Sequence, residues 1–397
     1  MSPTTTTTST TTAIATTTTN DATVSAPLTD TVNSRGNNLP TESILPKWQK
    51  PPVTKEDVEW ANILTVDLSL YDTNKDQLID TVREALQRDG FFYVVGHEVP
   101  QADLDRQFDI GLHAFDGVTP EEKKQYEAPI AEKGTFMGYK LSQYWEINHG
   151  VRDRIEHYNF YLNSFDPITR HPQPLRPFVE EAREFLNTLR QHVLRRVLSL
   201  IDAVLELPDG YLWSLHETED GRRGDDLFRY MMYDPLTKEE AAITKGVMLN
   251  GHTDFNSIST LISQPVTALQ VLMPDGKWRY VRHRDGAMVI NIGDQLSFMS
   301  GGLLKGTMHR VVTPPDDQIH FRRLGVFHFA HFAPDIPLDL LPSRRVHEEG
   351  RRLFEDKVPM SQEWEQARIK SYGVGDFIKG EEYDIETING VKVRHYH

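Results

Sequence analysis

The chain has 397 residues, 38% of them apolar and 10% aromatic, with a formal charge of −15. That composition suits an ordinary globular core, while the negative charge argues against nucleic acid or an anionic membrane as a general partner. Cysteine is absent, which excludes disulfides and thiolate metal sites, so any metal must use His, Asp or Glu.

Residues 1–44 are dominated by Thr, with Ser, Asn, Asp and Pro, and hold almost nothing to bury. Such a segment is predicted to be a disordered, functionally neutral tail. It has no apolar h-region and only Arg35 as a cation, so neither a secretory signal nor a transit peptide is expected. No apolar run elsewhere approaches the ~20 residues of a membrane span, and the expectation is a soluble, cytoplasmic protein.

Residues 63–68 read as a strand. A helix follows, with Thr73 or Asn74 as N-cap, Leu78, Ile79, Val82 and Leu86 at helical spacing, and Gly90 at its end. Residues 91–95 form a compact strand, and 104–115 a second helical stretch. The longest helix is predicted over 177–207, opened by Pro177 and stopped by Pro208-Asp209-Gly210, with His192 on its solvated side. Beyond Leu227 short runs rich in Val, Ile, Phe and Tyr alternate with turn residues: 228–233, 247–249, 257–262, 269–273, 278–281, 287–292, 306–312 and 324–332. These eight closely spaced strands predict a double-sheet roll or barrel. The fold class is mixed α+β, with an N-terminal helical layer and a long helix supporting a C-terminal β-roll.

Three residues carry the chemistry. His252 and Asp254 are alternate residues of an extended segment entered through Asn250-Gly251, so they share a face at a strand end. A His-X-Asp pair alone says little in a chain with sixteen His. His309, however, lies in a later strand that can return beside the first. Two imidazoles and a carboxylate can hold one face of a metal and leave the other open, the facial-triad arrangement of non-haem Fe(II) oxygenases.

The stretches His252-Thr253-Asp254-Phe255-Asn256-Ser257-Ile258, Leu269-Gln270-Val271, Val289-Ile290-Asn291-Ile292-Gly293-Asp294 and His309-Arg310-Val311 resemble the isopenicillin N synthase-like family of Fe(II)/2-oxoglutarate dioxygenases. Val66-Asp67-Leu68, Gly90-Phe91-Phe92-Tyr93-Val94, Gly96-His97 and Pro120-Glu121-Glu122-Lys123 extend the likeness upstream, so that about 63–332 is covered. The resemblance implies a double-stranded β-helix (jelly-roll) core. It divides the chain into the tail, an N-terminal dioxygenase region over 45–215, and the core with a C-terminal extension over 216–397. It implies Fe(II) on His252, Asp254 and His309, with 2-oxoglutarate and O2 as co-substrates and no catalytic residue beyond the ligands.

Members of that family anchor the far carboxylate of 2-oxoglutarate on an Arg-X-Ser pair, and this chain departs from it with Arg323-Leu324-Gly325. A hydrogen bond to a charged group contributes about 1.5–3 kcal/mol, so the missing hydroxyl should weaken the anchor without abolishing it. On that reading Gly325→Ser, where tolerated, tightens 2-oxoglutarate binding. Tyr233 sits where the family often has a Tyr that helps hold 2-oxoglutarate. Arg322 is the competing cation, but alternation puts it opposite Gly325, which favours Arg323.

For the substrate, alternation turns Phe327 and Phe329 inward with Gly325. The resemblance directs Tyr158 and Phe160 the same way, with Met231 and Phe298 as further candidates. An aromatic-lined pocket with few polar anchors follows. His328 and His331 read as supporting residues, and the Gly301-Gly302 stretch as a turn, since it fails the spacing of a phosphate loop.

The expected function is oxidation of a small organic molecule (by hydroxylation, desaturation or cyclisation) in specialised metabolism, with release of succinate and CO2. An oxidase of the same family that omits 2-oxoglutarate is the alternative, and a non-catalytic metal-binding protein the remoter one.

Overall fold

The computed structural model describes residues 45–218, 221, 223–352, 354, 357–371, 377–378, 383–388 and 391–396. The Thr-rich segment 1–44, expected to be disordered, lies outside the described residues.

Two sheets carry the architecture. The larger runs Leu64–Asp67, Phe91–Val95, Met288–Ile292, Ile258–Ile262, Arg323–Ala330, Leu227–Tyr233, Ile155–Tyr161, Gly138–Lys140. The smaller runs Trp278–Tyr280, Leu269–Leu272, His309–Val312, Val247–His252, Val391–Tyr396, Tyr383–Ile388, Phe377–Ile378. All eight strands expected beyond Leu227 form, with ends shifted by at most three residues. They build the jelly-roll core of a mixed helix-and-sheet fold, and strands from the N-terminal half complete its larger sheet.

Alternation lets the larger sheet serve two sides. Along Leu227–Tyr233 every residue is buried. Leu227, Arg229, Met231 and Tyr233 face a cavity between the sheets, whereas Phe228, Tyr230 and Met232 pack towards the helices. The Tyr230 hydroxyl donates to Gln107 Oε1 at 2.6 Å on the helix Gln101–Asp116, so the helical layer is fixed by a polar contact as well as by apolar burial.

The helix Lys75–Arg88 follows Asn74 and buries Leu78, Val82 and Leu86, as their spacing predicts. At Gly90, just beyond it, φ is +67° and a Cβ would stand 2.2 Å from the Lys305 carbonyl oxygen, so only glycine fits. The long helix predicted over 177–207 is segmented. A 3-10 stretch Gln173–Phe178 leads into Val179–Leu189, a π-helical turn Arg190–Leu194, and Arg195–Val204. Inside that turn Arg190 is buried and paired with Asp226, just before the strand Leu227–Tyr233. His192 is half exposed on the other side.

The chain also forms elements that its pattern does not announce. Among these are the short strands before Ile155, the helix Lys238–Thr244 with its Thr237/Glu240 capping box, and the helix Ser361–Ser371 with the strands after it. No described helix is long and apolar enough to cross a membrane.

Candidate active site

His252 ends the strand Val247–His252, and His309 begins His309–Val312 directly opposite it in the antiparallel register. This pairing brings the two rings to 4.4 Å between centroids. Asp254 stands two residues past the strand end, with Oδ1 3.8 Å from His252 Nε2 and 3.6 Å from His309 Nε2. Among the described residues these three form the metal-capable cluster, with one ligand atom from each, all within 4.8 Å of one another.

The surroundings fix which atoms face the centre. Nδ1 of His252 lies 2.8 Å from the Asn250 carbonyl oxygen, and Nδ1 of His309 lies 3.2 Å from that of Thr307. A carbonyl can only accept, so each Nδ1 carries the proton and each Nε2 offers its lone pair inward. Asp254 Oδ2 accepts from Ser259 Oγ at 2.5 Å and Asn291 Nδ2 at 2.8 Å, leaving Oδ1 for a cation. Ser259 and Asn291 are themselves cross-strand partners, so one register supplies both donors. Burial, then the neighbouring His309, lowers the His252 pKa and keeps the ring in its neutral, metal-binding form. Burial works to raise the Asp254 carboxyl, but the two imidazoles and the Asn291 and Ser259 bonds outweigh it and hold the group below its ordinary value. Two imidazole nitrogens and a fixed carboxylate suit a divalent iron ion.

The ligand loop is closed by the segment after Met288–Ile292. The Asp294 N–H donates to the Asp254 carbonyl at 2.7 Å, and the Gly293 N–H to that of Ser257 at 2.9 Å. A Cβ on Gly293 would lie 2.1 Å from the Asn256 carbonyl oxygen, so this approach requires glycine. Asn291 and Gly293 thus give physical content to the Asn291-Ile292-Gly293-Asp294 motif, whose role the sequence left unassigned.

The triad opens into a cavity of about 920 Å³, its open mouth included. That falls within the range of small-molecule sites. Met231, Tyr233, Arg323, Phe327 and Phe329 line it, as do Phe91, Phe136, Trp145, Phe255 and Arg229, which sequence reasoning did not single out. Arg229 had a legible signal, being a lone cation with the same strand parity as Met231 and Tyr233. Its Nε donates to Asn159 Oδ1 at 2.6 Å, and its guanidinium lies 4.9 Å from the Phe136 ring and 5.0 Å from that of Phe329.

Three expected substrate residues are elsewhere. Tyr158 and Phe160 pair in register with Tyr230 and Phe228, and therefore share their helix-facing side. The Tyr158 hydroxyl is 2.7 Å from His171 Nδ1, and Phe160 stacks on Phe165 at 5.3 Å. The expectation had the period right and the phase wrong. Phe298 lies on the helix Asp294–Met299 and packs against Phe354 and Trp364, in the core instead of the cavity. His328 and His331 are buried beside the polar cluster at Asp226 and bring no nitrogen to the triad.

Among the described residues, Arg323 is a cavity cation with no carboxylate partner. It is 3% exposed, and its Nε and Nη1 have no hydrogen-bond partner among the described residues. Burial lowers its pKa from the ordinary guanidinium value, and its neighbour is neutral, since burial pushes the Tyr233 phenol up to about 12. Arg remains charged in proteins, and a buried cation calls for an anion. Arg322, by contrast, is satisfied by Asp234 at 2.8 Å and Asp116 at 2.9 Å. One cavity therefore brings together a metal-capable cluster and a buried guanidinium, an arrangement suited to an anion that also chelates a metal.

Gly325 contributes no contact of its own, which corrects its place among the expected cofactor residues. A Cβ there would stand 2.4 Å from Cε2 of Phe327 and 2.8 Å from Cζ, so this ring fills the room a serine would occupy. Overpacking of this kind costs about 1–3 kcal/mol. Gly325→Ser is therefore expected to raise the half-saturating 2-oxoglutarate concentration several-fold, and adding Phe327→Ala to reverse the sign. Titrating 2-oxoglutarate against succinate formation in both variants measures this; tighter binding by the single variant would show that the ring yields freely.

Comparison with known proteins agrees with this geometry. The 2OG-Fe(II) oxygenase superfamily model matches residues 226–331, and the model for the non-haem dioxygenase in morphine synthesis N-terminal region matches 63–179. A flavonol synthase/flavanone 3-hydroxylase of Eustoma exaltatum subsp. russellianum is 26% identical over 326 residues, covering 81% of this chain and 91% of that protein. Flavanone 3-dioxygenase 2 of Oryza sativa subsp. japonica is 29% identical over 314 residues, covering 78% and 84%. The crystal structure of a 2OG-Fe(II) oxygenase family protein from Caulobacter crescentus superposes with a TM-score of 0.65 at 25% identity, covering 79% of this chain and 99% of that one. With the matched regions spanning most of both sheets, the chain belongs to the 2-oxoglutarate–Fe(II) oxygenases and is an Fe(II)/2-oxoglutarate-dependent dioxygenase that oxidises a small organic molecule.

Proposed function

We propose that His252, Asp254 and His309 hold the Fe(II), that Arg323 with Tyr233 against it receives the far carboxylate of 2-oxoglutarate, and that the enzyme hydroxylates a free small molecule in the cytoplasm. When bound, the iron and 2-oxoglutarate together use O2 to oxidise a substrate C–H bond, with release of succinate and CO2. The observation that carries the reading is the buried Arg323 guanidinium, with no carboxylate partner among the described residues, on the wall of the same cavity as the triad. Residues 45–215 and 216–397 serve one catalytic unit on this reading, because strands of both build the larger sheet.

The remaining walls describe the substrate. Phe136, Trp145, Phe255, Phe327 and Phe329 offer ring faces, and their apolar packing keeps water from the reacting centre. Arg229 stands among them, held by Asn159, as the polar group that orients an oxygen-bearing end of the substrate. A flat, oxygenated ring compound fits this lining. It agrees with the flavanones named for two relatives, without singling them out.

The test is a screen of oxygenated ring compounds, neutral and acidic, reading succinate and hydroxylated product with and without 2-oxoglutarate. Equal amounts of succinate and product, formed only when 2-oxoglutarate is added, are expected. Product formed in its absence would move the protein to the oxidases that draw every electron from the substrate.

A further inference from the structure

We infer that Arg368, on the helix Ser361–Ser371, is a positioning residue for the metal centre. It holds the peptide that joins the two ligands of the His252-Thr253-Asp254 segment. The inference rests on the reading of His252, Asp254 and His309 as that centre.

The helix carrying Arg368 begins thirty residues past 331, where the match to the superfamily model ends. Arg368 is nevertheless fully buried, and its Nη2 donates to the Thr253 carbonyl oxygen at 3.2 Å. Its Nε lies 3.5 Å from Asp294 Oδ2. Asp294 in turn donates its backbone N–H to the Asp254 carbonyl at 2.7 Å. One guanidinium therefore reaches both halves of the clasp around Asp254: the carbonyl before the ligand, and the residue that binds the carbonyl after it.

The need for a clasp follows from the backbone. The strand ends at His252, and Thr253 and Asp254 continue without regular hydrogen bonding. A carboxylate on such a segment must be held to within about half an ångström to ligate well, which requires support from outside. The strand Val391–Tyr396 pairs at Gly251, so the chain beyond Ala330 meets the ligand segment on both sides of His252.

Energetics argue against a purely stabilising role. Arg368 Nε and Nη1 have no hydrogen-bond partner among the described residues, although the side chain is buried. A buried pair satisfied this incompletely stabilises a fold poorly: removing both members together is often neutral or stabilising, whereas removing Arg368 alone would strand Asp294. Geometry at Asp254 is what the guanidinium supplies and a methionine would not.

The experiment uses the full-length, metal-free protein with Co(II) as the probe, reading the visible ligand-field bands during titration and the thermal melt before it. In Arg368→Met/Asp294→Asn, which removes both charges of the pair together, the metal-free melting temperature is expected to stay near that of wild type, while the Co(II) Kd rises roughly tenfold or more, as for loss of an outer-shell partner, and the bands shift. Arg368→Lys keeps one donor group and is expected to fall between; should the double variant fail to fold, the Lys variant carries the test with a several-fold rise. A Kd within twofold of wild type and unshifted bands, in whichever variant folds, overturn the inference. Wild-type protein that shows no ligand-field bands with Co(II) would instead overturn the reading of the triad.

Discussion

In the His309→Ala variant, Fe(II) binding and succinate formation are both expected to be lost while the protein stays folded. The strand pairing that places His309 opposite His252 is made by backbone groups and survives the substitution. What disappears is the Nε2 atom 3.6 Å from Asp254 Oδ1, one of three ligand atoms. Removing an outer-shell partner typically costs about 10- to 100-fold in metal affinity, and removing a ligand should cost more. Asn291→Ala supplies the comparison. It frees Asp254 Oδ2 from one of two donors, so Fe(II) should bind 10- to 100-fold more weakly, again by roughly that outer-shell cost. Anaerobic Fe(II) titration orders the set as wild type, Asn291→Ala, then His309→Ala. An His309→Ala protein with wild-type affinity and turnover would remove this residue from the centre.

Asp226→Ala is expected to lose about 3–5 kcal/mol of stability, the usual cost of stranding one member of a buried ion pair. Asp226 is fully buried, accepts from Arg190 Nη1, lies 2.9 Å from His328 Nε2, and receives the His331 backbone N–H at 2.9 Å. Burial alone would raise its carboxyl pKa; Arg190, then His328, outweigh it and hold the group far below the usual carboxylate range. A depressed folded-state pKa gives stability that is present above the unfolded carboxylate's pKa and is lost as pH falls through the folded one. The gap between wild type and Asp226→Ala should therefore be full at neutral pH and shrink in acid. Urea unfolding at several pH values measures it, and a gap below 1 kcal/mol at neutral pH would mean that Arg190 finds another partner. The effect reaches the site because Asp226 anchors the start of the strand that carries Leu227, Arg229, Met231 and Tyr233 into the cavity.

The parts legible in the sequence are those with a local cause. The strands from Leu227 to Ala330 announce themselves through branched and aromatic runs cut by turn residues, and the triad through its alternation and its place at strand ends. The phase of Ile155–Tyr161 was not legible, because that strand is buried on both faces. Aromatic residues then stand on the helix side while His157 and Asn159 share the side of Met231 and Arg229. The usual rule, apolar inward, has no solvent side to refer to. Gly325 was legible as a missing hydroxyl, but only packing shows the Phe327 ring lying in its place. Phe136 and Trp145 come from irregular or barely strand-like chain, where no periodicity points at a cavity. Arg368 reaches Thr253 across 115 residues, and no local pattern encodes that contact.

On the proposed reading one cavity holds Fe(II) on the triad and 2-oxoglutarate on Arg323. The most direct measurement is an anaerobic titration of the Fe(II)-loaded protein with 2-oxoglutarate, following the visible charge-transfer band that a chelated 2-oxo acid gives on Fe(II). Wild type is expected to develop the band and saturate. In Arg323→Ala the same band should require at least about tenfold more 2-oxoglutarate, since a lost charge-assisted hydrogen bond is worth about 1.5–3 kcal/mol and about 1.4 kcal/mol is a factor of ten. Absence of the band in wild type, or an unchanged titration in the variant, would contradict the account.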